Sequence, residues 1–235
     1  IVPVALYIRR HVEEPEVFKE MQAAQASGKA RQIGIMEMLR THARETLVGM
    51  GLVVTATVSI YITFTYLVTY ATVTLKLPMR DAFMVQMAGA ALMVVIMPFF
   101  GALSDRVGRR MLTIGSLIGY LVVLYPLYAW LTDGPTVQKL LITQLVVCVF
   151  VAVFFGVFST VMAELFPPQV RSAGMSMAYN VAVMIFGGFA QFIVTWLIRS
   201  TGSPMAPAFY VMFGVTLGLL AAFFIKDRAM ERNLR

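Results

Sequence analysis

The chain has 235 residues, 59% of them hydrophobic and only 13% charged, with a formal net charge of +7. Soluble domains carry about 25% charged residues, so with a mean hydropathy of +0.79 this composition excludes an ordinary globular domain. An outer-membrane barrel is excluded too, because its apolar–polar alternation is absent and the long apolar runs can satisfy their backbone in lipid only as helices.

Residues 1–8, IVPVALYI, are too short to span a bilayer and lack the charged start of a signal peptide. They read as the end of a helix that begins outside the sequence, so the sequence reads as a fragment. Residues 9–45 form the one long polar segment, mixing both charge signs around Pro15 and Gly28. Part of it, around Ile33, Met36 and Leu39–Arg40, suits an amphipathic surface helix. Six apolar segments come next, at about 46–71, 83–103, 111–131, 139–163, 174–199 and 206–225, near the ~20 residues that cross a ~30 Å hydrocarbon core. The fold class expected is therefore all-α, a polytopic membrane bundle, with a polar tail at 226–235.

Six spans place residues 9–45, the 104–110 loop, Arg171 and the tail on one side of the membrane. That side holds 15 of the 19 Lys and Arg residues; the other side holds Lys76, Arg80, Lys139 and Arg199. Positive residues gather on the cytoplasmic side, so the net charge reflects topology and not a nucleic-acid partner. No acid or base falls near the middle of a span. Charge within the hydrocarbon is costly and usually functional, so any proton-carrying carboxylate is expected elsewhere in the protein. The one cysteine, Cys148, lies in an apolar run and reads as a packing residue. His11 and His42 form no metal-ligand pattern with it, and no nucleophile–base set appears, so the chain is not expected to be an enzyme or to need a cofactor.

Two loops on the basic side carry spaced motifs. The first, GALSDRVGRR, places Gly101, Asp105, Arg106, Gly108, Arg109 and Arg110 between the second and third spans. Gly101 permits close helix contact, Gly108 suits a positive-φ turn, and Asp105 is placed to pair with an arginine or a helix N-terminus. A plain positive-inside loop explains the arginines but not these offsets. The second, AELFPPQVRSAG, sets Glu164 and Arg171 at opposite ends of a Pro-Pro turn, where a pairing across the loop is expected; ordinary interface charges are the other reading.

These motifs resemble the signature loops of the major facilitator superfamily. The adjoining stretch, RSAGMSMAYNVAVMIFGGFAQFIVTWLI, and the opening IRRHVEEPEVF resemble its metabolite:proton symporter family. The tail KDRAMERNLR lacks the motif usual in sugar porters. The resemblance covers essentially the whole chain. It implies the C-terminal half of a twelve-helix fold: the end of helix six at 1–8, a central loop at 9–45, a six-helix domain at 46–225 and a cytoplasmic tail at 226–235. It further implies that Asp105 and its arginine neighbours help latch the cytoplasmic side against a helix of the missing N-terminal half.

A solute site in such a protein lies between the two halves near the midplane. On the first span Thr55, Ser59, Thr63, Tyr66 and Tyr70 share one face and Thr57, Tyr61 and Thr65 a second, weaker one. One of the two is expected to serve interhelical hydrogen bonding; Tyr66 and Tyr70 are the favoured cavity residues. On the fifth span Ser176, Tyr179, Asn180, Gly187 and Gln191 share a sector, and the amides of Asn180 and Gln191 need partners in a dry bundle. Asn180 is the leading substrate contact, with a structural hydrogen bond as the alternative. Gln86 and Gln144 are lesser candidates. The lining suits a small polar solute.

The resemblance implies a secondary transporter in the bacterial inner membrane, coupling a proton to a small organic acid such as citrate, α-ketoglutarate or shikimate. Uptake of proline or betaine, or a non-transporting sensor on the same fold, are the alternatives. The partners expected are the small-molecule substrate, membrane lipid and the missing half.

Overall fold

In the computed structural model residues 40–225 are described, and the regular elements among them are all helices. The readings at residues 1–8, through most of the polar segment (Ile33, Met36 and Leu39 included) and at 226–235 lie outside the described residues. Six helices run in order: α1 (Ala43–Thr74), α2 (Met79–Val107), α3 (Arg109–Thr132), α4 (Val137–Leu165), α5 (Arg171–Thr201) and α6 (Ala206–Ala222). The first five are long and apolar enough to cross a membrane. α6 has 17 residues, about 26 Å at 1.5 Å per residue, and gives way to a turn before residue 225. Several helices outrun their apolar segments. α2 continues through Ser104, Asp105 and Arg106, because hydropathy marks only the greasy middle of a helix whose polar last turn is equally helical.

The connections use expected local chemistry. Pro78 in an extended conformation precedes α2, and the Thr136 side chain accepts from Lys139 N at 3.2 Å to cap α4. Pro207 sits in the first turn of α6, where its missing N–H costs nothing. Lys76 closes α1 at φ 58, a left-handed position usually given to glycine.

Packing sorts the helices into centre and periphery. In α1, 67% of the most apolar window is buried, against 17% in α2. α1 lies between α5 and α6 and touches α4; α4 packs on α2 and α3; α3 also meets α6. The α1–α6 seam is built from small residues. Thr55 Oγ1 donates to Gly214 O at 2.9 Å, and it sits where a Cβ on Gly218 would fall. With no hydrophobic drive between helices in lipid, such close packing and hydrogen bonding hold the bundle together.

Two helices depart from α geometry. α1 contains π turns at Tyr61–Tyr66 and Tyr70–Thr74, and α5 one at Val183–Gly187. An extra residue per turn disturbs the carbonyl ladder, and neighbouring helices supply donors there. Gln144 Nε2 of α4 donates to Thr63 O at 3.1 Å and Gln86 Nε2 of α2 to Phe64 O at 2.8 Å. Tyr210 OH of α6 donates to Phe186 O at 2.8 Å.

Candidate functional site

The basic end of the bundle gathers the ends of α2 and α4 and the start of α3. Gly108 is the single residue between α2 and α3, at φ 101 and ψ 132; a side chain is strained there. Its N–H donates to Ser104 O at 3.1 Å, and its carbonyl accepts from Leu112 N at 3.2 Å. That reversal sets Arg109 at the start of α3, beside Asp105 in the last turn of α2. Arg109 Nη2 lies 3.1 Å from Asp105 Oδ1, and its Nη1 pairs with Glu164 Oε1 in the last turn of α4. One guanidinium thus ties three helix ends. Its side chain is 19% exposed and that of Asp105 65%, so the aspartate is left open to a further partner. Both carboxylates also lie by the N-terminus of α3, where negative charge is favoured.

Gly101 stands one turn above Asp105, where α2 crosses α4. A Cβ at Gly101 would lie 3.2 Å from Gly156 O, and one at Gly156 2.8 Å from Met97 O. Sequence reasoning missed Gly156, because a lone glycine inside a long apolar run carries no motif. Arg106 is exposed, and Arg110 Nη2 donates to Phe223 O at 2.9 Å, joining α3 to the end of α6. The expected Glu164–Arg171 pairing is corrected. Glu164 points to Arg109, whereas Arg171 Nε reaches back to Phe166 O at a long 3.5 Å. The reason is local: Phe166 is extended before the two prolines and turns the chain away, leaving the last turn of α4 facing α3.

The hydroxyl stripes of α1 separate as their surroundings dictate. Ser59, Thr63, Tyr66 and Tyr70 are all buried inside the bundle. Tyr66 OH is 3.2 Å from Thr195 Oγ1 of α5, and Tyr70 OH donates to Pro204 O at 2.8 Å. These contacts fasten the outer half of α1 to the α5–α6 hairpin. On the second stripe Thr57 is buried, Tyr61 half-buried and Thr65 exposed. Gln86 and Gln144 are taken up by the Phe64 and Thr63 carbonyls of α1.

On α5, Ser176, Tyr179, Asn180 and Gln191 are exposed. Gly187 leaves this sector and packs against Thr57 and Tyr61 of α1, since the π turn at Val183–Gly187 rotates the rest of α5 away from the register of a regular helix. Asn180 Nδ2 donates to Ser176 O at 2.7 Å, and among the described residues its Oδ1 accepts no hydrogen bond. Beside them lies a groove of about 360 Å³ between α4 and α5, lined by Phe158, Ser159, Met162, Met175, Ser176, Tyr179 and Asn180. Asn180 is nine residues into α5, about 14 Å from its start. Among the described residues no group of three His, Cys, Asp or Glu side chains is placed to hold a metal. Cys148 is buried.

The family model described as "Sugar (and other) transporter" matches residues 8–231. Among curated proteins, the citrate-proton symporter of Klebsiella pneumoniae is 30% identical over 229 residues, covering 97% of this chain and 50% of that protein. The citrate-proton symporter of Salmonella typhi is 29% identical over 221 residues, covering 94% and 50%. The ectoine/proline transporter of Corynebacterium glutamicum is 25% identical over 235 residues, covering 97% and 46%. The chain therefore spans about half the length of the curated relatives it matches. No solved structure matches it.

Proposed function

Because the chain belongs to the sugar (and other) transporter family of the major facilitator superfamily, whose members are transporters and not enzymes, we propose that it is the C-terminal half of a proton-coupled symporter for a small organic acid. The observation that carries this reading is the open polar face of α5. Ser176, Tyr179 and Asn180 border a groove, whereas the α1 hydroxyls Ser59, Thr63, Tyr66 and Tyr70 are buried. In this reading the α5 face meets the solute and the other half, while Tyr66 and Tyr70 act beneath it as positioning residues. Asn180 Oδ1 accepts a hydrogen bond from a hydroxyl or protonated carboxyl of the solute. Thr65 and Thr69, exposed on α1, extend the polar surface.

Arg109, tied to Asp105 and Glu164, makes the ends of α2, α3 and α4 one rigid body that moves against the other half in alternating access. The remaining exposure of Asp105 leaves it available to latch a helix of that half. The basic end then faces the bacterial cytoplasm, following the Lys and Arg distribution. The proton is the coupling ion, carried by a carboxylate outside residues 40–225, since the acids described there lie near helix ends.

The citrate-proton symporters among the relatives favour an organic acid; the ectoine/proline and proline/betaine transporters favour a zwitterionic osmolyte as the second reading. Uptake by the full-length protein in proteoliposomes separates them. An organic-acid symporter takes up labelled citrate, α-ketoglutarate or shikimate under an imposed proton gradient, and Asn180→Ala raises its KM several-fold with little change in protein folding. Uptake confined to proline or betaine, rising with osmolarity and indifferent to carboxylates, would replace this reading with the second.

A further inference from the structure

A second groove, of about 310 Å³, runs between the first turns of α1 and the last turns of α6 at the basic end. Its walls are Leu47, Val54, Leu217, Leu220 and Phe224, and its floor is the close contact of Gly51 with Ala221. No hydroxyl, amide or charged side chain lines it, in contrast to the α4–α5 groove with its Ser, Tyr and Asn. Leu47 is 67% exposed and Phe224 57%, so the groove opens outward.

Charge is concentrated at one end of this groove. The Arg44 guanidinium lies 5.8 Å from the centroid of the Phe224 ring, over a residue of the groove wall. Arg40 lies four residues earlier, across the bend at His42 that precedes α1, and both are exposed. Positions 44, 47 and 48, 51 and 54 follow one face of α1 at helical spacing, an arginine and then the apolar channel. Among the described residues neither arginine is in an ion pair. The nearby acid, Glu45, is turned to His42, with Oε2 3.9 Å from Nδ1. A third guanidinium, that of Arg110, is anchored at Phe223 O on the same end of α6.

We propose that this groove is a binding site for an anionic phospholipid, with one acyl chain along Leu47, Gly51 and Leu220 and the phosphate between Arg40 and Arg44. The complementarity commits it to lipid. A wholly apolar channel about two turns long receives a chain. Arg44 at its polar end, with Arg40 four residues before it, receives a headgroup charge, neither being in an ion pair among the described residues, as basic pockets between membrane helices do. The arginine stems cover the apolar rim while their heads stay at the interface.

The test uses the full-length transporter that contains this chain, purified in detergent. It is mixed with phosphatidylglycerol or phosphatidylethanolamine of the same acyl composition and examined by native mass spectrometry. Photoactivated phosphatidylglycerol with a diazirine in its acyl chain maps the site. The expected result is preferential retention of phosphatidylglycerol, with label on peptides containing residues 47–54 and 217–224. The double variant Arg40→Gln/Arg44→Gln loses about tenfold of the preference. Leu47→Trp, which fills the channel, removes the label while leaving both arginines, and Arg199→Gln at the other end of α5 changes nothing. Equal retention of the two lipids, label elsewhere, or an unaffected double variant in protein that still elutes as a folded species overturns the proposal. So does cross-linking of the groove to residues 226–235 or to a second copy of the protein.

Discussion

Replacing Gly156 by alanine tests how α2 and α4 meet. A Cβ at residue 156 lies 2.8 Å from Met97 O, 3.0 Å from Gly101 N and 3.3 Å from the Phe100 carbonyl carbon. All three belong to the α2 backbone, so no rotamer change relieves the contact. Non-bonded heavy atoms settle at about 3.5 Å, and α4 must therefore retreat by roughly 0.5–0.7 Å along a seam that has no slack. Overpacking of that kind costs ~1–3 kcal/mol, while the better helix propensity of alanine returns ~1 kcal/mol. The expected net loss is about 0–2 kcal/mol, with a midpoint of about 1 kcal/mol. Gly101→Ala meets only Gly156 O, at 3.2 Å, and its two effects nearly cancel. Gly115→Ala has no heavy atom within 4 Å and gains up to ~1 kcal/mol. Thermal unfolding in detergent micelles, followed by scanning fluorimetry, should rank Gly115→Ala above wild type, Gly101→Ala close to wild type and Gly156→Ala lowest. A Gly156→Ala protein as stable as the Gly115→Ala protein would refute the close α2–α4 crossing and the reasoning built on it.

Asp105→Asn in the full-length protein should cut the uptake rate severely while changing stability by less than ~0.5 kcal/mol, because an exposed i,i+4 pair is worth little; wild-type uptake would return the loop to a plain anchor. Gln144→Leu leaves Thr63 O without its donor inside a π turn and should cost ~1–2 kcal/mol, read as a lower melting temperature in micelles. Lys76→Gly relieves a left-handed backbone and should gain about 1 kcal/mol; no gain would mean that the Lys76 side chain holds the turn by other contacts. Tyr70→Phe removes the bond to Pro204 O and should lower stability by about 1 kcal/mol with KM unchanged. A KM effect as large as that of Asn180→Ala would put Tyr70 in contact with solute.

Much of this arrangement is legible in the residues. Helix number and order derive from apolar length, which is a direct consequence of bilayer thickness. The turn at Gly108 is set by its place between two charged clusters, since one residue reversing the chain needs a positive φ. What local patterns do not carry is the rotation of each helix. The Tyr66–Tyr70 face and the weaker Thr57–Tyr61–Thr65 face are both polar on a helical wheel, and only the neighbours of α1 decide which is buried. The π turns are also silent in the sequence, because they depend on donors such as Gln144 and Tyr210 from helices far along the chain. Gly187 illustrates the consequence: regular periodicity groups it with Asn180, and the extra residue of the π turn carries it toward α1. Glu164 likewise finds Arg109, 55 positions away, in preference to the arginine across its own loop, as tertiary proximity overrides loop adjacency.

The most direct test of the central claim is solute counterflow. Proteoliposomes containing the full-length protein and loaded with unlabelled citrate are diluted into labelled citrate, beside vesicles containing residues 1–235 alone. A half-transporter that supplies one wall of the cavity predicts transient accumulation of label in the first vesicles, reduced by Asn180→Ala, and none above background in the second. Accumulation by residues 1–235 alone, or citrate binding to the full-length protein without exchange, would contradict it.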